Sequence, residues 1–278
     1  MSQANYIDKL LFDYQIDTST PNPIYSDLLD GKNDNTPHDD KHGYISLVMK
    51  LLFIATHTRP DVLFIVSYLT SKNTAPNQRD YQQALRLLKY LKHTRHFNLT
   101  YKQSKDSDMI IAFSDASNGI YPDAKCQSGC LIYMNDQSSP INYRSIKQKC
   151  QARGSTEAEL VALDECVLRI TRIYNILKEL NTNPKINVYC DNKSTIELAK
   201  HGITKSNSYA KFFIAKTNLV SQNLRDYNMN LEYIQSEDNK ADVLTKVINN
   251  KSYQHIGRQL LNLDPSTTSL GGDVVHNR

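Results

Sequence analysis

The chain has 278 residues and a formal net charge of +4, and 40% of its residues are hydrophobic. This length accommodates one large domain or two modest ones, and the weakly basic balance permits a polyanionic partner without requiring one. No run of about 18 apolar residues occurs, and the N-terminus lacks a basic segment followed by an apolar one. Neither a membrane span nor a secretory signal is therefore expected. Five cysteines predict no disulfide framework, and Cys126 and Cys130 lack the further ligands that a zinc site needs, so buried thiols are expected.

The first third of the sequence predicts a helical module. Apolar residues at helical spacing indicate helices over 3–14, 44–56, 62–72 and 79–93. The segment 17–43 is rich in Pro, Asn, Asp and Gly, which is typical of a linker or long loop. Pro60 ends the second helix, because proline cannot continue the hydrogen-bond ladder.

From about residue 106 the pattern changes to that of an α/β domain. Strands are expected over 109–116, 126–134, 140–145, 186–190 and 231–235, and helices over 155–181, 193–202, 209–225 and 239–247. The first three strands are predicted to form an antiparallel meander, and helical crossovers connect the last two strands to the sheet. We therefore expect a mixed five-stranded sheet with flanking helices, followed by a flexible tail.

Four acidic residues stand out by their positions on these elements. Asp115 follows Ile111 and Phe113 on one face of the first strand, where a buried carboxylate needs a partner. Glu159 lies in the first turn of the long helix, Asp191 ends the fourth strand, and Asp242 begins the last helix. Each of these three also has a structural explanation: a capping box from Thr156 to Glu159, an N-cap for Asp191, and a favourable helix dipole for Asp242.

Clustered carboxylates repel one another unless cations neutralise them. Oxygen ligands suit Mg²⁺ or Mn²⁺, and two such ions about 4 Å apart could clamp the attacking and leaving oxygens of a phosphodiester. The arrangement therefore predicts a metal-dependent site that contains Asp115.

The stretch from about residue 44 to 247 resembles the C-terminal part of the Pol polyprotein of copia-type LTR retrotransposons, particularly the yeast ones. The segments "LLFIATHTRPDVLFIVSYLTS" and "ALRLLKYLKHTRHFNLTY" resemble the helices that follow the polymerase palm. The motifs "FSDAS", "STEAEL", "VYCDN" and "NKADVLTK" resemble the ribonuclease H domain. By this resemblance 1–43 is a thumb-like helix and linker, 44–105 a helical connection module, 106–249 a ribonuclease H-like domain, and 250–278 a C-terminal helix and tail.

The resemblance implies a two-metal nuclease that cleaves the RNA strand of RNA/DNA hybrids. Its metal ligands would be Asp115, Glu159, Asp191 and Asp242, with Glu159 chosen over Glu157 on the family pattern. It also implies association with parental Pol proteins, a cytoplasmic or nuclear location, and virus-like particles.

Basic residues are candidates for contacts with the nucleic-acid backbone. Arg79, Arg86, Lys89 and His93 form one stripe on a helix, and the full set of candidate contacts is Arg86, Lys89, Arg144, Lys147 and Lys149. Ordinary surface charge explains these positions equally well.

The sequence departs from the family pattern in three places. The chain has no Trp, and the loop "QSEDN" before the last Asp lacks a His, so Glu237 or Asp238 could replace it. No Tyr-x-Asp-Asp turn occurs, so no polymerase activity is expected from this chain alone.

One alternative to the nuclease is a silent, truncated or domesticated fragment that binds parental Pol or hybrid. Others are an integrase-like nuclease, which the order of the acids opposes, and an RNA-binding module, which leaves Asp115 unexplained.

Overall fold

The computed structural model describes residues 1–25, 28–29, 36–102, 109–203, 211–247 and 260–261. The expected helical module is present within the described part of residues 1–102. Its helices are α1 (Ala4–Asp13), α2 (Lys41–His57), α3 (Leu63–Thr70) and α4 (Gln78–His93). The short 3₁₀ helix Pro60–Val62 separates α2 from α3, in agreement with the break predicted at Pro60. Among the described residues, no helix combines the length and apolarity needed to cross a lipid bilayer.

Over the residues that the structure describes, the α/β part contains five strands and three α-helices, and they follow one another in the predicted order. The strands are β1 (Met109–Ser117), β2 (Gln127–Tyr133), β3 (Asn142–Lys147), β4 (Lys185–Cys190) and β5 (Met229–Tyr233). The helices are α5 (Ser155–Glu179), α6 (Lys193–His201) and α7 (Lys211–Asp226). Strand β3 begins two residues later than predicted, because Pro140 has no backbone N–H for the ladder.

The five strands form one mixed sheet in the order β3-β2-β1-β4-β5. Neighbours β1, β2 and β3 pair antiparallel, whereas β4 is parallel to both β1 and β5. This confirms the predicted mixed five-stranded sheet, and its topology is that of ribonuclease H-like folds.

Each face of the sheet is covered by its own layer. Helices α5, α6 and α7 pack on the face that carries Ile110, Ala112 and Val188. The opposite face carries Phe113 and Leu131, and their side chains share one apolar core with helices α1 to α4. The helical module therefore packs against the sheet, although the domain boundaries assigned from the sequence remain a prediction.

The segment that carries Asp242 differs from expectation. Instead of an α-helix over 239–247, Lys240–Leu244 forms a 3₁₀ helix. Asn239 holds its start, because its side chain donates to Ser114 O at 3.0 Å and accepts from Ala241 N at 3.1 Å. The predicted C-terminal helix and tail lie outside the described residues, apart from the helical, buried pair at 260–261.

Gly129 allows this 3₁₀ helix to approach the sheet. Gly129 pairs with Asp115 in the β1–β2 register, and an added Cβ would meet Thr245 Cγ2 at 2.7 Å and the Ala241 carbonyl oxygen at 3.0 Å. Because a backbone oxygen cannot rotate away, Gly129→Ala is expected to destabilise the fold by about 1–3 kcal/mol. Chemical denaturation would measure the loss.

Gly154→Ala is the matched control for this prediction. Gly154 has an extended backbone, and an added Cβ would find no atom within 4 Å. We expect a cost below about 1 kcal/mol there. Equal losses in the two variants would show that the approach of the 3₁₀ helix does not depend on Gly129.

Candidate active site

Asp115 lies on β1 with its side chain only 2% exposed. The sequence predicts that Asp115 lies on the same face of the strand as Ile111 and Phe113. In the structure, the Asp115 carboxylate accepts a hydrogen bond from Thr245 Oγ1. Burial, reinforced by the negative charge of Asp242, raises the pKa of Asp115 to about 7. The carboxyl group is thus held where its ionised form is costly without a cation.

Glu159 reaches the sheet from the first turns of α5. The helix begins at Ser155 after the N-cap Gly154. The structural explanation of Glu159 as part of a capping box with Thr156 is therefore wrong. Glu159 Oε1 instead accepts from Ala116 N at 3.1 Å, next to Asp115. Its Oε2 is buried and has no hydrogen-bond partner. Burial, followed by the charges of Asp115 and Asp191, raises the pKa of Glu159.

Glu157 points elsewhere. Its Oε2 accepts from Arg153 N at 2.8 Å, so it satisfies a backbone donor just before the helix. Although Glu157 and Glu159 are equally buried, only Glu159 contacts strand β1. The assignment of Glu159, rather than Glu157, as a metal ligand remains a prediction.

Asp191 lies at the end of β4 and is not the N-cap of α6. Asn192 takes that role, since its side chain accepts from Thr195 N at 2.9 Å. The carboxylate of Asp191 accepts from Ser236 Oγ, which belongs to the loop before the last acid. Glu237 and Asp238, the predicted substitutes for the absent His, are exposed in the same loop.

Asp242 enters the site from the 3₁₀ helix. Its Oδ2 forms an ion pair with Lys246 Nζ at 2.8 Å, while Oδ1 is buried without a hydrogen-bond partner. Burial raises the pKa of Asp242 in spite of Lys246. Burial lowers the pKa of Lys246, but Asp115 and Asp242 outweigh this effect and raise it overall. Lys246 is therefore a fixed positive charge at this site that sequence reasoning missed.

The four predicted acids form two overlapping groups. One oxygen each of Asp115, Asp191 and Asp242 lie within 4.8 Å of one another. Ligand atoms of Glu159, Cys190 and Asp191 form a second group with the same spacing. Carboxylate oxygens without hydrogen-bond donors, Glu159 Oε2 and Asp242 Oδ1, suit hard divalent cations. The residues present therefore fit a divalent metal site, with Asp191 common to both groups.

The predicted nucleic-acid contacts lie on two parts of the fold. On α4, the guanidinium of Arg86 lies 4.3 Å from the ring centre of Tyr25, and Lys89 is half-buried. On β3, Lys147 forms an ion pair with Asp123 at 2.9 Å. Arg144 and Lys149 are exposed on and just after the same strand. Arg86 and Lys147 thus have internal partners, and the binding role of the five residues remains a prediction.

The sheet order and the four converging carboxylates define a ribonuclease H-like domain. No family model matches the chain. The chain is nevertheless homologous to retrotransposon Gag-Pol polyproteins of the Ty1 group. It is 25% identical over 236 residues to the Gag-Pol polyproteins of transposons Ty1-NL2 and Ty1-LR3 of Saccharomyces cerevisiae, which covers 83% of this chain. It spans 13% of the length of those relatives.

Solved structures with a similar fold are more distant. A ribonuclease H1 named LC11, isolated from compost, matches with a TM-score of 0.40 and 16% identity, covering 53% of this chain and 97% of that chain. A foamy viral protease-reverse transcriptase in complex with double-stranded DNA matches with a TM-score of 0.38 and 13% identity, covering 52% of this chain and 96% of that chain.

Proposed function

We propose that this chain is the ribonuclease H part of a retrotransposon reverse transcriptase and cleaves the RNA strand of RNA/DNA hybrids. The observation that carries the proposal is the convergence of Asp115, Glu159, Asp191 and Asp242 from four separate elements. An acidic cluster that only stabilised the fold would have its oxygens paired. Here two buried carboxylate oxygens have no hydrogen-bond partner.

The four carboxylates would hold two Mg²⁺ ions, for which Mn²⁺ could substitute. Such ions, when bound, activate a water for attack on a phosphate and stabilise the leaving oxygen. The protein contributes preorganisation, because Thr245 holds the Asp115 carboxylate and Ser236 holds that of Asp191. Lys246 lowers the repulsion among the acids.

The RNA/DNA hybrid is the proposed substrate because the motifs that carry the four acids resemble the ribonuclease H domain of retrotransposon Pol polyproteins, to which the chain is similar over most of its length. Selection of the hybrid would depend on its A-like shape and on the 2′-hydroxyl groups, rather than on base sequence. By the same homology, we propose that the chain works with parental Pol proteins in the cytoplasm, within virus-like particles.

The test is cleavage of a hybrid whose RNA strand is labelled, with Mg²⁺ or Mn²⁺ and with chelator. We expect RNA cleavage that needs the metal, and no cleavage of the DNA strand. Glu159→Gln should lower the rate by about a hundredfold or more, because it removes one ligand charge. Glu157→Gln is the matched control and should stay within a few-fold of wild type, since Glu157 caps a backbone N–H.

Two results would contradict the proposal. The first is a folded protein that binds hybrid but cleaves nothing with either metal, which would favour the silent binding partner. The second is equal loss of activity in Glu157→Gln and Glu159→Gln, which would point to damage of α5 instead of loss of a metal ligand.

A further inference from the structure

A thiol borders the carboxylate site. Cys190 is the last residue of β4 and is fully buried, directly before Asp191. Its sulfur and one oxygen each from Glu159 and Asp191 lie within 4.8 Å of one another. One sulfur and two oxygens therefore lie close together, contributed by the end of β4, the residue that follows it, and α5.

The carboxylate of Glu159 is a second observation, beside the grouping of the three ligand atoms, that favours a ligand at this point. Its side chain is 5% exposed, and Oε2 has no hydrogen-bond donor, while Oε1 is already held by Ala116 N. A buried carboxylate oxygen without a donor costs free energy unless a cation or a proton satisfies it. The half-exposed Asp191 leaves an approach from solvent.

The mixture of donors discriminates between metals. Mg²⁺ takes oxygen ligands and has little affinity for sulfur, whereas Zn²⁺ and Cd²⁺ bind thiolates well. Three protein ligands and one open position are typical of a tetrahedral zinc site that retains a water.

We propose that Cys190, Glu159 and Asp191 form a site for a thiophilic divalent cation, Zn²⁺ or Cd²⁺, that overlaps the Mg²⁺ site. On binding, the thiol of Cys190 releases its proton to solvent and its sulfur coordinates the ion. The ion then occupies Glu159 and Asp191, so Mg²⁺ can no longer use them. Zinc is consequently an inhibitor that competes with Mg²⁺, a consequence that rests on the proposed function.

The binding test uses Cd²⁺ added to the metal-free full chain. Thiolate–cadmium charge transfer in the ultraviolet reports sulfur coordination, and calorimetry gives the affinity. We expect one site in wild type, loss of its charge-transfer signal in Cys190→Ala, and affinity lowered about tenfold or more in Glu159→Gln. Cys190→Ser serves as a second variant if the alanine variant does not fold.

Cys166→Ala is the matched control, because it also removes a fully buried thiol. Cys166 lies 2.9 Å from the sulfur of Cys130, so this pair is the competing soft-metal position. The signal should survive in Cys166→Ala. A signal that persists in Cys190→Ala and disappears in Cys166→Ala would overturn the proposal.

Inhibition by zinc is tested in a cleavage experiment that is separate from the cadmium titration. Zn²⁺ added to a Mg²⁺-dependent cleavage reaction should inhibit wild type, and Cys190→Ala should need at least about tenfold more Zn²⁺. Equal inhibition of both proteins would refute the overlap of the two sites. Absence of cleavage in wild type would refute the proposed function, whereas the cadmium titration would still test the site.

Discussion

Asp115→Asn is expected to abolish RNA cleavage and, at the same time, to stabilise the metal-free protein. The activity should fall by about a thousandfold or more, since a neutral amide is a poor ligand for Mg²⁺ at the centre of the site. The gain in stability follows from burial of the carboxyl group beside Asp242, which raises its pKa from 3.8 to about 7. A residue that served the fold alone would lose stability on this substitution.

The direction of the pH dependence follows from that shift. Because the folded pKa is raised, the unfolded state loses its proton first as the pH rises above 3.8. The stabilisation that the protonated Asp115 carboxyl gives to the folded state is therefore fully present below pH 3.8. It is lost by the time the pH passes about 7. At pH 8, Asp115→Asn should be more stable than metal-free wild type by about 2–4 kcal/mol.

Denaturation of both proteins in chelator, from acidic to mildly alkaline pH, checks this expectation. Mg²⁺ should stabilise wild type at pH 8 and leave Asp115→Asn almost unchanged. Asp123→Asn is a control that should lose stability at pH 8 instead of gaining it. Lys147 and Lys125 lower the pKa of that exposed carboxyl to about 2, so its ionised form stabilises the fold. If Asp115→Asn were less stable than wild type at every pH, the carboxylate would be a structural group.

Arg59→Met is expected to have the largest effect on stability. Arg59 and Asp61 are both fully buried, and the guanidinium donates to the two carboxylate oxygens at 2.9 and 2.7 Å. Arg59 also donates to the backbone oxygen and the hydroxyl of Thr94, and Tyr90 donates to Asp61 at 2.9 Å. Loss of the arginine leaves a buried carboxylate without its counter-ion, which should cost about 3–5 kcal/mol.

Chemical denaturation with a double-variant cycle would measure this cost. Arg59→Met combined with Asp61→Leu should be less destabilised than Arg59→Met alone, because no charge remains buried. Arg95→Met is the surface control, since Arg95 and Asp8 form a well-exposed ion pair, and its midpoint should stay close to that of wild type. Additive losses in the double variant would show that Arg59 and Asp61 do not act as a pair.

Much of the site could be predicted from local pattern. Alternation along β1 identifies Asp115 as a buried acid, and the positions of Asp191 and Asp242 follow from neighbouring elements. The sequence favoured Glu159 over Glu157 only through the family pattern, because no local pattern reveals the hydrogen bond between Glu159 and Ala116. Lys246 and Cys190 were missed because each also fits an ordinary surface or core position.

The sheet and its flanking helices could be predicted because helix and strand periodicity are local properties of the chain. The order of the elements along the sequence then indicated how they connect. The 3₁₀ conformation of Lys240–Leu244 is different, because Asn239 binds Ser114, which lies 125 residues earlier. The bond from Thr245 to Asp115 spans 130 residues. Contacts between segments so distant depend on how the layers pack, and packing brought the carboxylates, the thiol and the lysine to one place.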